Sequence, residues 1–81
     1  MWRVVIDHEA AEFPYLQLAR ILRERIADGT YPAGRKIPGL VAMEQEFGVS
    51  NMTVRRAVAL LAEEGLLQVV AGRGTFVRHQ P

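Results

Sequence analysis

The chain has 81 residues, of which 49% are hydrophobic, and 10 Lys+Arg against 9 Asp+Glu leave a net charge of +1. That length allows one small domain, which buries roughly 60–65% of its unfolded surface and gains from a partner subunit. Without cysteine there is no disulfide framework, thiolate metal site or cysteine nucleophile. No apolar run approaches the ~20 residues that span a bilayer, and residues 1–6 are too short for a secretory leader. The expectation is a soluble, intracellular protein.

Charge is placed unevenly. Residues 1–49 carry six basic and seven acidic side chains, whereas residues 50–81 carry four basic and two acidic. A near-neutral domain can still present a local basic face, and the surplus here falls in the C-terminal part.

In chain order, Trp2, Val4 and Ile6 alternate with Arg3, Val5 and Asp7, the period of a strand. Residues 1–13 are set apart on this basis as an N-terminal strand or arm. Pro14 suits the first turn of a helix. Tyr15, Leu18, Leu22 and Ile26, joined by Ala19, then recur at helical spacing until Gly29 closes the pattern. The run "TYPAGRKIPG" holds two prolines and excludes a helix, leaving Arg35, Lys36 and Ile37 as one short strand.

A second helix is expected over residues 40–47, closed by Gly48. Ser50 is a good N-cap for a third helix, whose apolar stripe is Val54, Ala57, Val58 and Leu61, and Gly65 stops it. "LLQVV" and "TFV" then form two strands around a glycine-rich turn. The order is β-α-β-α-α-β-β. Two helices across a short glycine turn, followed by a hairpin, describe a winged helix-turn-helix. The fold class is α+β, mainly α: three helices, a C-terminal two-stranded β wing, and room for an N-terminal strand. Residues 14–81 form the winged helix-turn-helix unit.

With Val54, Val58 and Leu61 inward, Asn51, Arg55 and, further round, Met52 and Arg56 turn to solvent. A helix fits a major groove, where Arg55 suits guanine O6 and N7, Asn51 suits adenine, and Met52 suits a thymine methyl. The hydroxyls of Ser50 and Thr53 suit a phosphate oxygen. A plain solvated helix face is the competing explanation, and the preceding turn and following hairpin weigh against it. Arg73 stands between Gly72 and Gly74 at the hairpin tip. Glycines accept positive φ and allow close approach to a sugar-phosphate wall, and a lone cation suits the negative potential of a narrow minor groove. The alternative is an ordinary turn with a solvated arginine.

Other residues point to structure. His8 and His79 lack ligand spacing, Glu44 and Glu46 do not form a catalytic carboxylate pair, and Glu63 and Glu64 end a helix in solvent. Trp2, Phe13 and Tyr15 are candidates for an aromatic cluster. Leu40 and Val41 form a small apolar patch if exposed. No cofactor, metal or enzymatic activity is expected.

Several runs together resemble one family. They are G-x-x-P-x-G-x-x-[LI]-P at residues 29–38, F-G-V-S-x-x-T-V-R at residues 47–55, then E-G-L and G-R-G-T-F-V near the end. From Tyr15 to Val77 the chain resembles the N-terminal DNA-binding domain of GntR-type bacterial transcriptional regulators. The resemblance implies that Ser50, Asn51, Thr53 and Arg55 meet base edges and phosphates, while Gly72 and Arg73 enter the adjacent minor groove.

The resemblance also implies a cytoplasmic bacterial regulator, in most cases a repressor, bound as a homodimer to double-stranded DNA with a palindromic operator. The family usually adds a C-terminal domain that binds a metabolite and dimerises. This chain stops at Pro81, so no small-molecule effector is expected on it, and it reads either as a fragment or as a small stand-alone regulator. Residues 2–6 are expected to form a strand that either pairs two copies or flanks the wing within one chain. Three departures stand out. Gly39, Leu40 and Val41 replace a polar run with a DNA-contacting arginine, Asn51 replaces a common arginine, and Glu44 replaces a small residue. They favour a second reading, a winged-helix protein-interaction module that has lost specific DNA binding.

Overall fold

The computed structural model describes residues 6–79. Its elements are helices α1 (Pro14–Ala27), α2 (Leu40–Phe47) and α3 (Asn51–Glu63), followed by strands β1 (Leu67–Val70) and β2 (Gly74–Val77). These are the three helices and the two-stranded wing expected. Residues 1–5 of the expected N-terminal strand lie outside the described residues, and Ile6 and Asp7 are not in a strand.

Local chemistry sets the helix limits. Pro14 opens α1, where a missing N–H costs nothing. Gly48 ends α2 in the left-handed conformation at φ 64° and sends the chain straight into α3. Ser50 caps α3, its Oγ accepting the Thr53 N–H at 3.2 Å, a bond worth about 1 kcal/mol to the helix.

Most of each stripe predicted from spacing is buried, with Tyr15, Ile26 and Val58 only half-buried. Leu18 and Leu22 of α1, Met43 of α2, Val54 and Leu61 of α3, and Leu67 of β1 are sealed from solvent. Each large apolar side chain so buried contributes about 1.5–3 kcal/mol. Helix α3 lies at the centre, packed against α1, α2 and β1. Burying its inner face there fixes which of its residues turn outward.

Ile6 joins the same core at 3% exposure, held by a polar anchor. The buried Gln17 side chain accepts the Asp7 N–H at 2.9 Å and donates to the carbonyls of Asp7 and Glu12, both at 2.8 Å. Every polar atom of that amide has a partner, so its burial carries no desolvation penalty of the unsatisfied kind.

The hairpin pairs Leu67 with Val77 and Val70 with Gly74 in antiparallel register. Residues 35–37, expected as a strand, form an isolated bridge, Lys36 to Phe76. Gly34 at φ 79° and Pro38 confine the segment on both sides, leaving too few residues for a ladder. Even so, it is well bonded. Gly34 N–H donates to Val77 O (2.8 Å), Val77 N–H to Arg35 O (2.9 Å), and Ile37 N–H to Thr75 O (2.9 Å). The base of the wing is therefore bonded along both edges of β2.

Candidate nucleic-acid interface

Three elements meet around one open groove of about 580 Å3: the start of α2, the outer face of α3, and the hairpin. Arg55 of α3 and Arg73 of the hairpin tip line the same groove together with Lys36, and Leu40, Val58 and Val69 supply apolar surface. The two arginines thus belong to one side of the molecule.

Helix α3 presents the residues expected of it, with internal bonds not foreseen. Asn51 and Arg55 are exposed, and Met52 is 64% exposed. Arg55 Nε donates to Asn51 Oδ1 at 2.5 Å, while Asn51 Nδ2 donates to Glu44 Oε2 at 3.2 Å. The polar atoms that suit adenine are therefore engaged with neighbours on α2 and α3. The Ser50 hydroxyl also donates to Thr53 Oγ1 at 3.1 Å while its oxygen caps the helix.

Arg56 lies elsewhere. Its guanidinium sits 3.9 Å from the centroid of the Tyr15 ring, within cation–π range, and Tyr15 in turn stacks on Phe13 at 6.4 Å. Of the expected aromatic cluster, Phe13 and Tyr15 are in contact and Trp2 lies outside the described residues; Arg56 sits at this end of α1, away from the residues lining the groove.

The wing tip is open. Ala71, Gly72 and Arg73 are exposed, and Arg73 N–H closes the turn on Val70 O at 3.0 Å. Gly72 (φ 76°) and Gly74 (φ 124°) occupy backbone conformations that side chains resist. A Cβ at Gly74 would come 2.6 Å from Cε of the flexible Lys36 side chain, which lies beside the tip. Lys36 was not singled out in the sequence. Its position beside the tip depends on the bridge to Phe76, which no local pattern announces.

Ion pairing separates the cations. Among the described residues the salt bridges are Arg20–Glu12 (2.6 Å), Arg23–Glu64 (2.7 Å) and Arg25–Glu46 (2.8 Å), each with its arginine on α1. Arg35, Lys36, Arg55, Arg56 and Arg73 enter none of them. Glu64 is exposed, as expected, and is also bidentate to Arg23.

A match to the family of bacterial regulatory proteins, gntR family, runs over residues 14–77. The chain belongs to the GntR family. It is 40% identical over 76 residues to an HTH-type transcriptional regulator of Rhizobium meliloti, covering 94% of this chain and 31% of that protein. It is 41% identical over 66 residues to MngR, the mannosyl-D-glycerate transport/metabolism system repressor of Escherichia coli, covering 82% and 28%. The chain thus spans less than a third of the length of these relatives.

Solved structures of similar proteins carry the same winged helix fold. The AraR DNA-binding domain in complex with operator ORX1 superposes with a TM-score of 0.76 at 40% identity, covering 78% of this chain and 76% of that one. YtrA of Sulfolobus acidocaldarius, a GntR-family transcription factor, gives 0.85 at 31% identity over 99% and 84%.

Proposed function

We propose that this GntR-family chain is a sequence-specific DNA-binding transcriptional regulator, acting as a repressor by occupying an operator and excluding polymerase. Helix α3 enters the major groove with Arg55 as its base-reading cation, and Arg73 on the wing enters the neighbouring minor groove. The observation that carries this reading is that Arg55 and Arg73 line one groove on one side of the fold. The similarity to an AraR domain held on its operator supports it.

Within this reading Ser50 and Thr53 hold the start of α3 in shape for the N–H groups of its first turn to meet a phosphate. Asn51 and Met52 border Arg55 on the same exposed turn. Gly72 and Gly74 let the tip approach the sugar-phosphate wall. A single winged helix covers only ~600–1,000 Å2 of DNA surface. Two copies on a palindromic site in the cytoplasm, each reading a half-site, complete the proposal. It assigns no catalytic step to any residue.

Selection from a random duplex library tests it. The expected outcome is a palindromic consensus, with affinity falling steeply with salt. Arg55→Ala is expected to relax preference at one base pair per half-site, at a cost of about 1–3 kcal/mol. Equal binding of every duplex by parent and variant would refute base reading. The second reading, a protein-interaction module, is favoured by Val41 at 66% exposure at the start of α2. It predicts no salt-dependent duplex binding at all.

A further inference from the structure

Glu44 is an unexpected residue at the edge of a face meant for a polyanion. It is half-buried on α2, and its Oε2 accepts from Asn51 Nδ2 at 3.2 Å. Asn51 Oδ1 in turn accepts from Arg55 Nε at 2.5 Å. Among the described residues Glu44 and Arg55 form no direct ion pair. A carboxamide stands between a carboxylate and a guanidinium.

Chemistry orients that amide. A carboxylate can only accept and a guanidinium can only donate, so the amide must turn Nδ2 toward Glu44 and Oδ1 toward Arg55. The flipped amide would oppose donor to donor and acceptor to acceptor. We propose that Glu44 is a specificity-determining residue acting through Asn51 on Arg55. This rests on the DNA-binding reading above and goes beyond it, because Asn51 becomes a positioning residue and not a reader of adenine. With Nε engaged, Arg55 keeps its two terminal nitrogens for the paired acceptors of a guanine edge.

The charge of Glu44 has a separate effect. Binding to arbitrary sequence is dominated by phosphates, and a carboxylate near the groove opposes every duplex alike. That lowers affinity without changing the ratio between specific and random sites. The ratio depends on the alignment of Arg55 through Asn51.

The test compares Glu44→Ala, Glu44→Gln and Asn51→Ala with the parent chain. Each is titrated on the selected duplex, on that duplex with the Arg55-dependent base pair changed, and on random duplex. Circular dichroism melting checks that each variant folds. Both Glu44 variants should bind random duplex about threefold tighter, because one repulsive charge is gone. Only Glu44→Ala should also lose discrimination at that base pair, by roughly fivefold to tenfold, whereas Gln retains an acceptor for Asn51 and rescues it. Asn51→Ala should match the loss, and the double variant should lose no more than either alone.

Parental discrimination in Glu44→Ala would overturn the inference, as would equal loss in Glu44→Gln. Either result would leave the DNA-binding reading intact. A parent that selects no duplex would sink both.

Discussion

The arginines of α1 and those of α3 and the hairpin are used in different ways. Arg20, Arg23 and Arg25 each meet a glutamate within 2.8 Å, and Arg25 also donates to the Tyr31 hydroxyl and lies 5.0 Å from the Phe47 ring centroid. Arg55 and Arg73 have no carboxylate partner of their own among the described residues. The near-neutral net charge of +1 thus hides a division between cations that hold helices together and cations available to an outside anion. Net charge says little about binding when charge of one sign is neutralised locally and left open elsewhere.

The most forceful way to break this division is to damage the core beneath both regions. Leu61 is fully buried on α3, and Leu61→Ala should lower unfolding free energy by about 2–5 kcal/mol, measured by denaturant titration. Below its melting range the variant should keep the parent's ratio of affinities for selected and random duplex. A changed ratio would show that the outer face is not independent of the packing behind it.

Removing one charge from each region sharpens the comparison. Arg73→Ala should reduce the slope of log K against log salt by about one, because one phosphate contact is lost. Arg23→Ala removes the same charge from the paired region and should leave that slope unchanged. Equal effects would mean that the two sets of cations do the same work.

The smallest expected effect concerns Glu64. Hydrogen bonding from Arg23 holds its carboxyl below the usual carboxylate range. A depressed folded-state pKa contributes stability above the unfolded value, and that contribution fades as pH falls through the folded one. Glu64→Gln should therefore cost about 0.5 kcal/mol or less near neutral pH, given the exposure of the pair. The difference should vanish in acid, as followed by thermal melts across pH.

Much of the scaffold was legible in the sequence because short-range rules govern it. Gly48, Ser50 and Gly65 punctuate helices whose apolar stripes have the right period, and "AGRG" demands a turn. What was hidden depends on contacts between distant residues. Arg56 has the spacing of an outward-facing residue and is exposed, but that spacing does not announce the Tyr15 ring on another helix over which it lies. Glu44 looked isolated because Asn51, seven positions on, reaches it only after the chain reverses at Gly48. The anchoring of Asp7 by Gln17 is equally invisible to any periodicity.

The three backbone hydrogen bonds that tie residues 34–37 to the outer edge of β2 make the hairpin a short lever clamped at its base. The span from the α3 face to the Arg73 tip then behaves as a preset calliper and not as a hinge. On the DNA-binding reading proposed above, a duplex whose two grooves do not match that span would have to bend or narrow to fit, at a deformation cost set by its own base steps. Sequence preference can thus arise at positions that no side chain touches.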